Sequence, residues 1–248
     1  LVSKAQIKEI RTLHLPKFRQ IYNKFIAEGE KVCTEFIKSG KFPIDAIFIT
    51  NASKEKYADL MIKYGLELEL ISEKEMSQLS ALKTPSDILL ILKMATSDLR
   101  IMNNPKVSAI YLDGVQDPGN TGTIIRLADW FGIDAVIRST DTADFFNPKV
   151  VQSTMGSMAN VHLITANLKD LKPFERKIFG TYMDGQSIHQ TTIDENAILV
   201  MGNEGKGIRI ENEQWISNKI SIPGAVGRIA ESLNVAIAAG IICAHWKV

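Results

Sequence analysis

With 248 residues the chain is long enough for one large or two ordinary domains. Apolar residues at 45% and charged residues at 23% exclude a disordered or fibrous chain. A formal charge of +1 excludes a generic polyanion binder, so any nucleic-acid contact must come from a local patch. In chain order, the first part alternates helical patterns over about 3–12, 30–39, 54–63 and 73–82 with apolar strand candidates over 44–50, 66–71 and 88–93, a small α/β unit with its own core. Its start carries a charge signal: Lys4, Lys8, Arg11, Lys17, Arg19 and Lys24 are opposed up to that point only by Glu9, with Phe18 and Tyr22 among them. Such a patch contacts phosphates and stacks on bases, or it is a solvated helix face over core aromatics. The polar stretch 96–106, with Asn103-Asn104-Pro105, reads as a linker between domains 1–95 and 107–248.

The second part opens with a strand over 107–112 that ends in Asp113-Gly114, followed by a helix over about 121–131. Further strands are expected over 135–138, 177–182, 197–201 and 219–222, and helices over 148–154, 168–174, 209–215 and 232–246. This alternation argues for a mostly parallel sheet with helices on both faces. The last helix is apolar nearly all round, which implies burial on several sides, within one chain or in an oligomer. The apolar stretch near Val235 is too short to span a bilayer, no secretory signal is visible, and a start at Leu1 instead of Met fits an N-terminal trim. Cys33 and Cys243 lie far apart in apolar helical contexts and read as buried free thiols of a reducing compartment, so the expected location is the cytoplasm. Without a Cys-x-x-Cys or His-Glu-x-x-His spacing there is no sequence case for a metal, and the four histidines form no catalytic spacing.

Three polar clusters follow apolar strands, where α/β proteins build their sites. The first is Asp117-Pro118-Gly119-Asn120-Thr121-Gly122 with Arg126, in which Asn120 suits a helix cap and Arg126 suits either a site or a surface ion pair. The second is Gly202-Asn203-Glu204-Gly205-Lys206-Gly207, which is neither a Walker A loop nor Gly-x-Gly-x-x-Gly; it is a flexible turn or a loop whose backbone approaches a ligand. The third runs from Ile222-Pro223 to Glu231-Ser232-Leu233-Asn234, with Ser232 placed to cap the last helix.

Taken jointly and in this order, these clusters resemble the SpoU/TrmH family of RNA ribose 2′-O-methyltransferases, of the SPOUT superfamily, from Val107 to about Trp246. Lys17-Phe18-Arg19 and the run from Phe25 to Lys31 are similar to that family's substrate-binding domain, which resembles ribosomal protein L30e. The resemblance implies an α/β fold with a deep trefoil knot and a mostly parallel sheet in the C-terminal catalytic domain, preceded by the smaller L30e-like domain. It implies S-adenosylmethionine held by Gly202, Ile222 and Leu233, with Asn203 and Gly207 of the same loops, largely through backbone. It places Asn120, Arg126, Glu204, Ser232 and Asn234 at the reacting ribose. Arg126 is the family's proposed base, although a guanidinium normally stays protonated, so orienting the hydroxyl or a phosphate is the milder role. The implied partners are ribosomal or transfer RNA, contacted by Lys4, Lys8, Arg11, Lys17 and Arg19, and a second copy joined through the C-terminal domain. Where the family usually has Ile-Pro-Met, Gly224 replaces the Met, and the loop to Ala230 is about two residues longer, which leaves a non-catalytic RNA-binding or ribosome-assembly protein as the alternative.

Overall fold

The computed structural model describes residues 2–248. In chain order the elements are α1 (Lys4–Thr12), α2 (Pro16–Tyr22), β1 (Lys24–Glu28), α3 (Glu30–Ser39), β2 (Ile44–Thr50), α4 (Lys54–Tyr64), β3 (Glu69–Ile71), α5 (Glu73–Leu79), β4 (Ile88–Lys93), β5 (Ala109–Asp113), α6 (Pro118–Trp130), β6 (Ala135–Arg138), α7 (Pro148–Ser153), β7 (His162–Thr165), β8 (Ile178–Ser187), β9 (Ile198–Gly202), α8 (Ile210–Glu213), β10 (Asn218–Ser221) and α9 (Val235–Lys247). They form two compact units: residues up to Ala95 together with Asp144–Ala159, and Thr96–Ala143 together with Asn160–Val248.

The first unit has a mixed sheet of order β1-β4-β2-β3, antiparallel except for the β2–β3 pair. β4 is central, and its Ile88, Leu89, Leu90, Ile91 and Leu92 are all buried, so it reads as an unbroken apolar run. Ser3 and Gln6 close a reciprocal cap on α1, and Ser72 and Glu75 do the same on α5, each satisfying N–H groups that a helix start leaves open. Met76 and Leu79 of α5 join Ile10 and Leu13 in the core under the sheet. β1 and α2 were absent from the sequence expectation. The five residues of β1 are too few for apolar periodicity to separate strand from helix.

Asp144–Ala159, expected within the C-terminal domain, packs in this first unit. The Phe146 ring lies 4.9 Å from that of Phe25, the Lys41 ammonium donates to the Met158 carbonyl at 3.3 Å, and Gly156, at φ +96°, lies where a Cβ would meet the Glu35 side chain at 2.8 Å.

The second unit has an all-parallel sheet of order β10-β8-β9-β5-β6-β7. All five residues of β5 are buried, as a strand covered on both faces requires. The stretch expected as a linker belongs here: Met102 is fully buried in the core with Ala109, Tyr111 and Val200. After the edge strand β10 the chain ends in α9, which packs against α6 and β9. Among the described residues no helix is long and apolar enough to cross a membrane.

Candidate active site

Strand order reverses between β5 and β9: the chain leaves β5 toward β6 and leaves β9 toward β10, on opposite sides. Open parallel sheets build ligand sites at the carboxyl ends of strands at such a point. Asp113 and Gly202 are paired in register at those ends, so the first two polar clusters leave the sheet side by side.

Pro118 starts α6 in a first turn where its missing N–H costs nothing. The cap expected of Asn120 is made by Asp117, whose Oδ1 accepts the Asn120 backbone N–H at 2.9 Å. That leaves the Asn120 side chain for another task. Its Nδ2 donates to Glu204 Oε1 at 3.1 Å, and its Oδ1 accepts from Asn234 Nδ2 at 3.0 Å. Glu204 also accepts the backbone N–H groups of Gln116 and Asp117, both at 3.2 Å. Partial burial pushes the Glu204 carboxyl up, but the Asn120 amide and the backbone N–H groups outweigh it and hold the pKa below the usual glutamate value.

Asn234 Oδ1 caps α9, accepting from the N–H groups of Ala236 at 2.9 Å and Ile237 at 3.2 Å. The helix therefore starts at Val235, and Ser232, the cap read from sequence, stands outside it; Ser232 is exposed and makes no hydrogen bond among the described residues. One side-chain chain, Asn234 to Asn120 to Glu204, ties together the three clusters that the sequence singled out.

The 202–207 loop is a closed turn. Asn203 and Gly207 exchange backbone hydrogen bonds at 3.0 and 2.9 Å, and Gly207 holds φ +71°. A Cβ on the buried Gly202 would stand 2.5 Å from Ile208 N, so glycine is required there by the turn itself. The Asn203 amide is committed within the protein: Nδ2 donates to the Gly114 carbonyl at 2.7 Å, and Oδ1 accepts from Gly205 and Lys206 at 3.0 Å. The Asn203 side chain thus shapes the loop. From Pro223 to Leu233 the only backbone–backbone hydrogen bond among the described residues joins Arg228 N to Ala225 O at 3.4 Å. Open N–H and C=O groups therefore stand between the half-buried Ile222 and the half-exposed Leu233.

Arg126 lies six residues into α6 from Asn120, about 9 Å along the axis. It is exposed, and among the described residues it makes no hydrogen bond or ion pair. Sequence reasoning missed Asp113, Arg209 and Asn212. Asp113 is fully buried at the end of β5 and is bonded to the other two. The available signal was a carboxylate ending an otherwise apolar strand.

In the first unit Lys4, Lys8 and Arg11 are exposed on α1 and line one open groove with Thr12, Leu15 and Gln78. Lys17 is exposed on α2, beside the stacked pair of Phe18 and Tyr22. Arg19 corrects the expectation. Its side chain is 1% exposed, ion-paired to Asp144 at 2.7 Å and bonded to the carbonyls of Leu13 and His14, so no N–H faces an RNA. A basic residue on a short helix carries no sequence mark of which way it points.

The model of the SpoU rRNA Methylase family matches residues 108–244. Over 247 residues the chain is 32% identical to 23S rRNA (guanosine(2553)-2′-O)-methyltransferase RlmP of Bacillus subtilis, covering 98% of this chain and 96% of that protein. The chain belongs to the SpoU rRNA methylase family. Its first unit matches an MRM3-like substrate binding domain over residues 4–90. Among solved structures, a putative TrmH-family RNA methyltransferase from Porphyromonas gingivalis superposes on this SpoU protein with a TM-score of 0.84 at 33% identity, covering 100% of this chain and 98% of that one. An AdoMet-bound rRNA methyltransferase from Sinorhizobium meliloti gives 0.86 at 29%, covering 99% and 95%. The donor set of this SpoU chain fits that cofactor. Adenine and a carboxylate need backbone-type donors and acceptors beside apolar contacts, which the 223–233 segment, Ile222, Leu233 and the glycine-bounded 202–207 loop supply.

Proposed function

We propose that this SpoU-family RNA ribose 2′-O-methyltransferase uses S-adenosylmethionine to methylate a guanosine ribose in large-subunit ribosomal RNA. The observation that carries this reading is the end-to-end match, through both units, to the Bacillus subtilis enzyme named for that reaction. S-adenosylmethionine, when bound, would supply an electrophilic methyl group on sulfur for the ribose 2′-oxygen. Ile222, Leu233 and the backbone of Gly202 and Gly207 would hold the cofactor. Glu204, Asn120 and Asn234 fix the walls of its site relative to each other. Arg126 and Ser232, both exposed and uncommitted, face the RNA. The Arg126 guanidinium donates to the 2′-oxygen or a neighbouring phosphate and stabilises charge as the proton departs to water. Lys4, Lys8, Arg11 and Lys17 bind phosphates of the RNA in the first unit.

A second copy of the chain covers the α6–α9 face. Trp130 is 79% exposed on α6, and Ile237 and Ile241, one turn apart on α9, are exposed as well. Light scattering should give twice the chain mass, and Ile237→Asp should reduce it to one chain.

The function is tested by incubating the protein and labelled S-adenosylmethionine with undermodified ribosomal RNA and, separately, transfer RNA, then mapping the product by primer extension at low nucleotide concentration. One stop beside a guanosine of the large-subunit RNA is expected. Label on transfer RNA alone would overturn the ribosomal assignment, and no label on either would overturn catalysis.

A further inference from the structure

The turn from β5 into α6, residues 113–117, is gripped along its length by the segment after β9. Asp113 Oδ1 accepts Arg209 Nε at 2.6 Å and pairs with Arg209 Nη2, while Oδ2 accepts the Arg209 backbone N–H and Asn212 Nδ2, both at 2.9 Å. The Gly114 carbonyl takes Asn203 Nδ2. The N–H groups of Gln116 and Asp117 go to Glu204. The Gly114 N–H is held in turn by Ser139 Oγ at 3.0 Å and Thr142 Oγ1 at 3.1 Å. Both oxygens of the fully buried Asp113 are thus occupied, so it has no capacity left for substrate or cofactor. Whatever it does for the reaction it does through the residues it holds.

An ion pair with one partner fully buried, as Asp113 is while Arg209 is part-exposed, is a poor source of net stability, because desolvating the buried charge offsets much of the attraction. What it does well is fix one arrangement. Here the fixed object is the 203–209 segment, whose Glu204 orients Asn120, which orients Asn234 at the end of the 223–233 segment. We propose that the Asp113–Arg209 pair is a positioning device for cofactor binding: it holds Glu204, Asn120 and Asn234 in their binding arrangement before S-adenosylmethionine arrives. The inference rests on the function proposed above. Without the pair, the loop has to be ordered at the moment of binding, and that cost appears as weaker affinity.

Arg209→Lys keeps the charge and loses the two-nitrogen grip; Asp113→Asn keeps the shape and loses the charge. The control is Arg176→Lys in the same unit, where among the described residues the guanidinium bonds the carbonyls of Met102, Asn104 and Pro105. Each protein is titrated with S-adenosylmethionine by calorimetry, with the thermal midpoint, RNA affinity at fixed salt, and kcat and KM measured alongside. Arg209→Lys should raise the cofactor Kd and KM about tenfold, leave RNA affinity unchanged, and lower kcat at saturating cofactor by much less. Arg176→Lys should lower the thermal midpoint without moving the cofactor Kd. If Asp113→Asn does not fold, Arg209→Lys is decisive alone. A cofactor Kd for Arg209→Lys within about twofold of the parent, beside a lowered midpoint, would reduce the pair to ordinary structure and overturn the proposal. A parent protein that is folded and binds no S-adenosylmethionine would instead overturn the functional reading, and this inference with it.

Discussion

Asn234 donates its side-chain amide to Asn120 Oδ1 at 3.0 Å across 114 residues of sequence. The orientation of both amides is dictated from the two ends of the chain they form. Glu204 as a carboxylate only accepts, so Asn120 must turn its NH2 toward it and its oxygen toward Asn234. The first N–H groups of α9 only donate, so Asn234 must turn its oxygen to them and its NH2 to Asn120. A flip would break two hydrogen bonds at Asn120 and three at Asn234, and the start of α9 is thereby located relative to the ends of β5 and β9.

Asn120→Asp tests that dictation. The substitution keeps size and shape but places an acceptor against Glu204 Oε1, where a donor stood at 3.1 Å. A lost hydrogen bond to a charged group costs about 1.5–3 kcal/mol, and carboxylate repulsion adds to it. S-adenosylmethionine affinity should fall at least about tenfold by calorimetry. Adding Glu204→Gln should recover part of the loss, because the glutamine NH2 again faces an acceptor; recovery is incomplete because Oε1 of Glu204 also takes the Asp117 N–H. Equal affinities for Asn120→Asp and the parent would remove Asn120 from the site.

Acidification should act through Glu204. Burial raises its pKa, but the hydrogen bonds from Asn120 and the Gln116 and Asp117 backbones lower it further, so the folded value lies below the ordinary 4.5. A depressed carboxylate contributes its stabilisation above the unfolded value and loses it as pH falls through the folded one. Cofactor affinity should therefore hold while pH falls from neutral to 4.5 and drop only below that. Glu204→Gln should bind more weakly at neutral pH and lack the acid drop. An acid drop of the same size in that variant would assign the titration to another group.

Arg126→Lys separates orienting from proton removal. A guanidinium and an ammonium both stay charged at neutral pH, but only the guanidinium presents a planar fork. With an orienting role, kcat falls by about two orders of magnitude, as for a lost charge-stabilising donor, and the pH–rate profile keeps its shape. A new ionisation at high pH in the lysine variant would reinstate the base.

The parallel sheet and the three clusters were legible because they are local. Buried strands such as β5 are unbroken apolar runs, and glycine and asparagine gather where the turn at Gly202 leaves no room for a Cβ. What was hidden depends on partners far away in sequence. The side chain of Asn120 looks like a cap until Asp117 is seen to make that bond. The expected linker is core because Met102 meets β5 and β9 residues. Asp144–Ala159 belongs to the first unit because Asp144 meets Arg19 across 125 residues, and nothing in the composition of either stretch announces it.

That last pair separates two kinds of cation in the first unit. Lys4, Lys8 and Arg11 are exposed along one groove, whereas Arg19 is enclosed against Asp144. Replacing the first three singly by alanine should leave the unfolding free energy within about 0.5 kcal/mol of the parent, as surface changes do. Each should weaken RNA binding and lower the slope of log affinity against log salt by about 0.7 if it meets a single-stranded phosphate. Arg19→Ala does the opposite. It strands Asp144 and leaves the Leu13 and His14 carbonyls without their donor, at a cost of about 3–5 kcal/mol in denaturant unfolding. Where that variant is still folded, its salt slope should equal that of the parent. A reduced slope in folded Arg19→Ala would mean that its guanidinium reaches RNA after all, and unchanged slopes in all three α1 variants would move the phosphate contacts off this helix.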